Sequence, residues 1–318
     1  MIKEIFKQIE SAKHILIITH VNPDGDTLGS ACAMKSYLGE RADILVQNRE
    51  GEKFPETYWF LPFIDEVKYQ ETVRDEYDLV IALDTASVDR IVGNARNIFN
   101  KAQNTINIDH HKTNNSYGKL NLINPDASSV GEVLFYFFKE LNIEITREMG
   151  DCLYCAILTD TGGFRYENTK EKTLSAAKEL IKIGVDVADI AQKYYDYKPK
   201  PMVLLHSFAV ANAVFLEDDK IVYTVLTDEI MNRFGAKNEH TEGIAETLRS
   251  MSSTEISFVA KEVNSNSTKI SLRSKNVDLV KIVEKFNGGG HSKSAGCTIR
   301  RPVSEAVNLL ICEIKKEL

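Results

Sequence analysis

The sequence predicts a two-domain α/β protein, with a parallel sheet in the first domain and a mixed or antiparallel sheet in a smaller second domain. The chain has 318 residues, more than a single domain usually contains. In the first half, short apolar runs alternate with helical patterns, as in βαβ units. A stretch that contains Pro199 and Pro201 then separates this half from strands and helices of a different pattern.

The elements of the first domain follow from the spacing of its apolar residues. The first residues, MIKEIFKQIESAKH, have the pattern of an amphipathic helix. The predicted strands are 14–20, 42–48, 77–84 and 104–111. The predicted helices are 27–38, 128–141 and 169–184. A serine at the cap position opens the second of these helices, and Gly184 ends the third.

The second half has its own set of predicted elements. We place the first domain at residues 1–193, a linker at 194–204 and the second domain at 205–318. The predicted strands of the second domain are 220–227, 254–263 and 268–275. Its predicted helices lie at about 242–251, 278–286 and 303–317. This mixture predicts a smaller α/β domain.

The overall charge excludes one class of partner. With 39 Lys and Arg against 46 Asp and Glu, the net charge is −7, whereas proteins that bind long duplex nucleic acid usually carry a basic excess. An acidic chain can still bind phosphate, because metal ions held by carboxylates invert the local field. No apolar run approaches the roughly 20 residues that span a bilayer, and no signal peptide is evident. We therefore expect a cytoplasmic protein without a membrane partner.

The five cysteines do not indicate a disulfide framework, because their number is odd in a long chain. Cys152 and Cys155 form a CxxC, but no second CxxC accompanies it and the pair lies in an apolar stretch. We predict that both are buried thiols rather than zinc or redox residues.

Acidic and imidazole side chains follow the apolar runs of the first domain. In order along the chain they are His20, Asp24, Asp26, Asp84, Asp109, His110, His111 and Asp160. Ligands of open α/β sheets bind outside the carboxyl ends of the strands, so we expect these residues to meet at one sheet edge. Taken singly, Asp24 and Asp26 could form a polar turn, and Asp84 could cap a helix. Their joint occurrence favours a functional site.

The residue types in this group suit a pair of divalent metals. Carboxylate and imidazole ligands bind Mn²⁺, Fe²⁺ or Zn²⁺ without thiolates. A two-metal site needs about six protein ligands and ions about 3.5–4 Å apart, and it activates water for attack on phosphate esters. The candidate ligands are His20, Asp24, Asp26, Asp84, His110 and Asp160.

A second group of residues is suited to binding phosphate. Its members are Arg273, Ser274, Gly288, Gly289, Gly290 and His291. Consecutive glycines let backbone N–H groups approach an anion, and arginine binds phosphate through two hydrogen bonds. The alternative is a flexible turn between a helix and a strand. Arg165 and Tyr166 are further candidates for phosphate or base contacts, although both could be structural.

Four sequence blocks in the first domain resemble the DHH phosphoesterase superfamily. They are HVNPDGDTLGS at 20–30, ALDTAS at 82–87, IDHHKTN at 108–114 and LTDTGGFRYENT at 158–169. In the second domain, SLRSK and FNGGGHSKSAG (286–296) are similar to the associated domain of the nanoRNase branch. The resemblance spans nearly the whole chain.

The resemblance implies roles for the residues of the first domain. It implies two metal sets that share Asp84: His20, Asp24 and Asp84 for one Mn²⁺, and Asp26, Asp84, His110 and Asp160 for the other. Asp84 and His111 are the implied catalytic residues, and His111 faces the scissile phosphate as a hydrogen-bond donor or acid. Asp109 is implied to orient an imidazole, and Asp160 to come from a helix end.

The resemblance also implies a substrate and how it is bound. The expected reactions are hydrolysis of short oligoribonucleotides such as pApA to mononucleotides, and of pAp to AMP. The residues implied to bind a terminal phosphate or nucleotide are Arg273, Ser274, Gly289, Gly290 and His291. The active site is expected in a cleft between the domains, and a homodimer is left open.

Three alternatives remain at the level of sequence. A soluble relative of this length can act on cyclic di-AMP or its linear product. Pyrophosphatases and exopolyphosphatases share the motifs of the first domain, although the GGGH loop argues against the pyrophosphatase branch. A nucleotide sensor with a decayed metal site is disfavoured, because the ligand set is complete.

Overall fold

The computed structural model describes residues 1–47, 56–69, 72–74 and 76–318, except for the side chain of His291. The chain divides into two compact units, Met1–Tyr197 and Lys198–Leu318.

Two helices extend into the segment 194–204, which the sequence predicts as a linker. One helix ends at Tyr195 and the next begins at Lys200, so only Asp196–Pro199 lie between them. Pro199 is the N-cap of the second helix, and Pro201 lies in its first turn. A proline costs no hydrogen bond there, because the first N–H groups of a helix have no partner within it. The two prolines therefore begin a helix where the sequence pattern indicated a break.

Five parallel strands form the sheet in the described part of the first unit. They are β1 (Ile15–Val21), β2 (Ala42–Gln47), β3 (Leu79–Leu83), β4 (Thr105–Asp109) and β5 (Leu120–Ile123). Their order is β2-β1-β3-β4-β5, and every neighbouring pair is parallel. The predicted parallel sheet is confirmed. The short β5 was not predicted, and Asn48, at the end of the predicted 42–48 strand, lies outside the described residues.

The first unit also contains a set of helices around this sheet. They are α1 (Ile2–Ser11), α2 (Gly25–Leu38), α3 (Gly93–Lys101), α4 (Val130–Glu140), α5 (Arg147–Asp160), α6 (Glu171–Lys182) and α7 (Val187–Tyr195). Ile15 and Ile17 of β1 belong to a core that includes α2, α4 and α5, whereas Leu16 and Ile18 belong to a separate core with α3. Both faces of the sheet are buried at β1 and β3, which explains why these two strands are largely apolar.

Small residues bring the buried helices α2 and α5 close together. A Cβ atom at Gly29 would lie 2.6 Å from the carbonyl oxygen of Cys152 and 3.1 Å from the Cβ of Ala156. Cys32, Cys152 and Cys155 are buried free thiols in these two helices, as predicted for the CxxC pair. Burial raises the pKa of the Cys155 thiol, which disfavours a reactive thiolate.

The second unit, described throughout its backbone, contains a six-stranded mixed sheet. Its strands are β6 (Val214–Leu216), β7 (Ile221–Leu226), β8 (Ile256–Asn264), β9 (Ser267–Ser274), β10 (Gly289–His291) and β11 (Ser294–Ile299). The order is β10-β11-β9-β8-β7-β6, in which only β7 and β8 are parallel. This confirms the predicted mixed sheet. The glycine segment, which could have been a loop, forms the edge strand β10.

Helices cover both faces of the second sheet. They are α8 (Lys200–Ala211), α9 (Asp228–Phe234), α10 (Ile244–Arg249), α11 (Val280–Val283) and α12 (Val303–Ile314). One core joins the sheet to α11 and α12, and the other joins it to α8, α9 and α10. None of the helices described for this chain is long and apolar enough to cross a membrane.

We predict that Gly29→Ala destabilises the protein, although alanine favours helix by about 1 kcal/mol relative to glycine. The new methyl group meets a backbone carbonyl that cannot move without shifting α5, and such overpacking costs about 1–3 kcal/mol. Urea unfolding measures the change. Ser175→Ala, at an exposed position of α6, is the control and is expected to stay within about 0.5 kcal/mol of the wild type. Equal stability of both variants contradicts close packing of α2 against α5.

Candidate metal centre

His20 lies in β1, where a backbone contact orients its ring. Its Nδ1 is 2.9 Å from the carbonyl oxygen of Val21, an acceptor, which places the proton on Nδ1. Nε2 then lies 3.6 Å from Asp24 Oδ1 and 3.4 Å from Asp84 Oδ2. Burial lowers the pKa of His20, but the carboxylates of Asp24 and Asp84 outweigh this and raise it to about 10. The imidazole therefore strongly favours a cation, which can be a proton or a metal ion.

Asp24 and Asp26 begin helix α2. Asp24 is its N-cap, and its Oδ1 accepts hydrogen bonds from the backbone N–H groups of Asp26 and Thr27. The carboxylate of Asp26 accepts hydrogen bonds from Val130 N at 2.8 Å and Gly131 N at 3.0 Å, at the start of α4. The N-terminal ends of two helices thus stabilise this buried carboxylate. The polar turn considered from the sequence is present, and it also orients two acids.

The residue between these two acids explains their close approach to α5. A Cβ atom at Gly25 would lie 2.5 Å from the side chain of Thr159, the neighbour of Asp160. Only glycine fits this contact without movement. The DGD segment therefore brings the start of α2 against the end of α5.

Asp84 follows the last residue of β3 and has φ 54°, a left-handed conformation that is uncommon for residues other than glycine. Such backbone strain is concentrated at functional sites. Its Oδ2 lies 3.4 Å from His20 Nε2, and its Oδ1 lies 3.6 Å from His110 Nε2. Oδ1 is buried, and no described residue donates a hydrogen bond to it. Asp84 therefore faces His20 with one oxygen and His110 with the other, which also lies 3.5 Å from His111 Nδ1. The helix cap considered for Asp84 is not its role.

His110 is the centre of a second group. Its Nε2 lies 3.7 Å from Asp26 Oδ2 and 3.6 Å from Asp160 Oδ2. Asp160 is the last residue of α5, so this acid comes from a helix end, as the resemblance implied. Asn168 donates a hydrogen bond from Nδ2 to the carbonyl oxygen of Asp160 and thereby fixes the end of the helix.

The spacing of these atoms suits metal ligands better than hydrogen bonds. The 3.4–3.7 Å separations exceed the usual limit for N–H···O bonds of about 3.2 Å. Two ligands bound to one ion at about 2.0–2.2 Å are roughly 3–3.7 Å apart. Three groups of residues could each hold an ion, and within each group the ligand atoms lie within 4.8 Å of one another. The groups are His20, Asp24 and Asp84; Asp26, His110 and Asp160; and Asp84, Asp109, His110 and His111.

The electrostatics of the acids also favour a cation. Burial raises the pKa of Asp26 well above its usual range, and the charges of Asp84 and Asp160 act in the same direction. Burial likewise raises the pKa of Asp160, and Asp84 and Asp24 add to the effect. Because these carboxylates destabilise one another when ionised, a divalent cation among them would relieve the repulsion.

Asp109 and His111, which belong to the third of these groups, are also hydrogen-bonded to each other. The buried Asp109 accepts hydrogen bonds through Oδ1 from His111 Nδ1 and His110 N, both at 2.8 Å, and through Oδ2 from Asn114. Burial opposes both shifts, but the pairing lowers the pKa of Asp109 and raises the pKa of His111. The imidazole that Asp109 orients through its side chain is therefore that of His111.

Two residues near the site were not predicted from the sequence. The charge of Arg90 acts on both Asp24 and His111. Gln47, buried at the end of β2, donates a hydrogen bond to Arg90 O and accepts one from Val92 N. It thereby fixes the turn that carries Arg90. An arginine six residues after Asp84 was the only sequence signal for this turn.

The predicted phosphate-binding residues of the second unit differ from one another in their contacts. Arg273 donates from Nε to Glu246 Oε1 at 2.6 Å. Ser274 is buried, and its hydroxyl donates to the carbonyl oxygen of Val277, so it holds a turn. No described atom lies within 4 Å of a Cβ built at Gly289, whereas at Gly290 that atom would lie 2.5 Å from the Ser294 carbonyl oxygen. The side chain of His291 lies outside the described part of the structure.

Arg165 lies in the loop after Asp160 and is exposed. Its Nε donates a hydrogen bond to the carbonyl oxygen of Gly162 at 2.6 Å. This contact fixes the loop and uses one of the five donors of the guanidinium group.

We predict that Mn²⁺ stabilises the metal-free protein. At a free concentration of about 100 times its dissociation constant, an ion that binds only the folded state adds about 2.7 kcal/mol, which raises Tm by roughly 4 °C for a chain of 318 residues. Thermal unfolding with and without Mn²⁺ measures this shift. In Asp84→Asn the shift is expected to be largely lost, whereas Asp126→Asn, an exposed control, retains it. An equal shift in Tm for Asp84→Asn contradicts the assignment of Asp84 as a ligand shared by both metal sets.

Comparison with known protein families gives two domain matches. Residues 14–157 match the N-terminal domain of the DHH family, and residues 218–318 match the DHHA1 domain. The first match contains β1 to β5 with His20, Asp84 and the two adjacent histidines. The second contains the sheet residues around Arg273.

Similar proteins extend over nearly the full chain. The bifunctional oligoribonuclease and PAP phosphatase NrnA of Thermus thermophilus is 28% identical over 100% of this chain and 94% of its own length. The protein of the same description from Bacillus subtilis is 29% identical over 93% of this chain and 92% of its own. The crystal structure of an exopolyphosphatase-related protein from Bacteroides fragilis shares 26% identity and has a TM-score of 0.92, covering 99% of this chain and 95% of that one. The chain thus carries a DHH and a DHHA1 domain and is an enzyme of the DHH phosphoesterase family.

Proposed function

We propose that this enzyme hydrolyses short oligoribonucleotides, including dinucleotides such as pApA, to mononucleotides, and pAp to AMP, with two divalent ions that are normally Mn²⁺. The observation that carries the proposal is Asp84, whose two oxygens face His20 and His110 separately. A carboxylate in this position can bind two ions at once. We also place the activity in the cytoplasm, which fractionation of the source cells tests.

Each proposed metal would be held by its own residues and by the shared Asp84. The two sets are His20, Asp24 and Asp84, and Asp26, Asp84, His110 and Asp160. Two divalent ions bound there would lower the pKa of a water molecule and neutralise charge on the phosphate. The chain holds these ligands in place through the N-cap of α2, the start of α4 and the end of α5.

His111 is proposed to donate a hydrogen bond or a proton to the scissile phosphate. Asp109 binds its Nδ1, so the donor facing the substrate is Nε2. Asp109 also favours the protonated ring, which is the form that can act as an acid. This arrangement separates His111 from the metal ligands in function, although it is next to His110 in sequence.

In the second unit, Arg273, Gly289, Gly290 and His291 are proposed to bind a phosphate or nucleotide of the substrate. The open space beside Gly289 supports this role, because packing within the protein does not require a glycine there. Ser274 is proposed to support this segment through its contact with Val277 rather than to touch the substrate. Arg165 remains a proposed phosphate contact of the first unit.

The names of the similar proteins support a nucleotide substrate, since two relatives that cover nearly the whole chain are named oligoribonuclease and PAP phosphatase. The name of the Bacteroides fragilis protein, exopolyphosphatase-related, favours polyphosphate as a second candidate. Cyclic di-AMP is a third substrate to compare, because its hydrolysis would use the same metal chemistry.

A direct comparison of substrates tests the proposal. The purified protein is incubated with Mn²⁺ and, in parallel, a labelled RNA five-mer, pApA, pAp, cyclic di-AMP and polyphosphate. Release of mononucleotides from the five-mer and pApA, and of AMP from pAp, supports the proposal. Faster cleavage of cyclic di-AMP, or cleavage of polyphosphate alone, contradicts the proposed substrate class but leaves the metal centre in place.

We predict that His111→Gln lowers kcat by about 10²–10⁴-fold, the usual contribution of general acid–base catalysis. Because His111 is not a proposed ligand, the stabilisation by Mn²⁺ should be unchanged in this variant. Asp84→Asn should instead lose both turnover and the Mn²⁺ effect. Steady-state kinetics and thermal unfolding on the same samples separate the two roles, and loss of the Mn²⁺ effect in His111→Gln would identify it as a metal ligand.

We predict that Asp109→Asn lowers kcat by about 10–100-fold, the typical effect of removing a residue that orients a functional imidazole. The amide can still accept the hydrogen bond from His111, but it no longer favours the charged ring. Steady-state kinetics of Asp109→Asn and His111→Gln, measured side by side, test whether the loss in kcat is smaller in Asp109→Asn. A larger loss in Asp109→Asn than in His111→Gln would show that Asp109 acts on more than His111.

A further inference from the structure

Arg273 and Glu246 form a close ion pair within the second unit. Arg273 is the seventh residue of β9, and Glu246 lies on α10. The Nε of Arg273 is 2.6 Å from Glu246 Oε1, and its Nη1 donates to the carbonyl oxygen of Leu272 at 2.8 Å. The side chains are 23% and 35% exposed, so the pair lies at the edge of the buried region. Two separate acceptors therefore fix the plane of the guanidinium group.

The strand register shows what else lies on the same face as Arg273. Leu272 is buried in the core with α11 and α12, so Arg273 points to the opposite face. Across the strands, Arg273 is paired with Ser294 on β11, and Gly296 of β11 is paired with Gly289 on β10. Residues directly opposite in antiparallel strands point to the same side. Arg273, Ser294, Gly296 and Gly289 therefore share one face.

The sheet face that carries Arg273 is covered by α10 at one end and uncovered at the other. Nearer to α10 it is covered, since Ser257 on β8 donates a hydrogen bond to the carbonyl oxygen of Ala245 and is fully buried. At Gly289 on β10, three strands away from β8, no described atom lies within 4 Å of the position of a Cβ. Arg273 lies at the boundary, with Glu246 on its covered side. We define the open face as Arg273, Ser294, Gly296 and Gly289.

The contacts of Arg273 leave part of its hydrogen-bonding capacity for a ligand. A guanidinium group carries five N–H donors in a rigid plane. Glu246 and Leu272 use donors on Nε and Nη1, and no described residue accepts a hydrogen bond from Nη2. A phosphate on the open face can therefore bind Nη2 without displacing Glu246.

We propose that Glu246 is a positioning residue, which holds the Arg273 guanidinium in the orientation that binds a phosphate of the nucleotide on the open face. The inference rests on the proposed function and adds a residue to its substrate site. An arginine without a partner samples many rotamers and loses this freedom on binding. Glu246 reduces that loss in advance. Its negative charge opposes the phosphate only weakly, because the carboxylate is partly exposed and screened by solvent.

The test compares KM and kcat for pApA in the full-length enzyme with Mn²⁺. Arg273→Ala is expected to raise KM by about 10- to 100-fold, the effect of losing a charged hydrogen bond to phosphate. Glu246→Ala is expected to raise KM by about three- to tenfold with kcat within about twofold of wild type, since orientation is lost but the charge remains. Glu246→Gln keeps an oxygen acceptor for Nε and is expected to restore KM to within about twofold.

The double variant separates positioning from a structural effect. If Glu246 acts through Arg273, Glu246→Ala adds no further increase in KM when Arg273 is already alanine. The matched control is Glu305→Ala, which removes the carboxylate of another Arg–Glu pair in the same unit, formed with Arg301 and exposed on both sides. KM should not change in the control.

Each other outcome overturns the proposal in a recognisable way. An unchanged KM in Glu246→Ala, or an equal further increase in the double variant, shows that Glu246 does not act through Arg273. A lower KM in Glu246→Ala and Glu246→Gln shows that Glu246 competes with the phosphate. Failure of the proposed function itself is distinct, because the wild-type enzyme would then not turn over pApA at all.

Discussion

The arrangement of the first unit depends on the carboxylate of Asp84, which lies where the strand order changes direction. In the order β2-β1-β3-β4-β5, the chains that leave β1 and β3 diverge, and this is where ligands bind in open α/β sheets. Asp84 occupies this point with a left-handed backbone, and its oxygens face His20 and His110. The other candidate ligands form groups around this one side chain.

Close helix packing gives this centre its remaining acids. Gly25 lets the start of α2 approach Thr159, and Gly29 lets the two helices continue in contact. Asp26 and Asp160 are thereby both brought close to Nε2 of His110, at 3.7 and 3.6 Å. Because burial and mutual repulsion raise the pKa of both acids, the fold maintains an arrangement that a divalent ion would stabilise. Stability and chemistry are therefore coupled through the same residues.

The second unit uses its backbone in a comparable way. Its glycine segment is an edge strand, in which Gly290 is required by contact with β11 whereas Gly289 faces open space. Strand pairing places Arg273 on the same face as Gly289, and Glu246 holds the guanidinium group from the side of α10. The proposed phosphate-binding face therefore has little side-chain bulk and one arginine with a defined orientation.

Much of the fold and of the candidate site was predictable from the sequence, because both faces of the first sheet are buried. Burial on both faces makes β1 and β3 nearly continuous apolar runs, and acids and a histidine stand out where those runs end. The short β5, β6 and β10 were not predicted, since strands of three or four residues have no clear periodicity. Helix α8 begins inside the predicted linker segment, because prolines that begin a helix look the same in sequence as prolines that end one.

The sequence by itself determined which residue types are available for metal and phosphate chemistry. It also determined where along the chain the strands that carry them lie. The tertiary structure decided how they are used. It directs Asp109 to His111, gives Ser274 a buried backbone contact, fixes the Arg90 turn through Gln47 and pairs Glu246 with Arg273. These assignments depend on contacts between residues that are distant in sequence or on the direction of a side chain, and neither can be read from spacing along the chain.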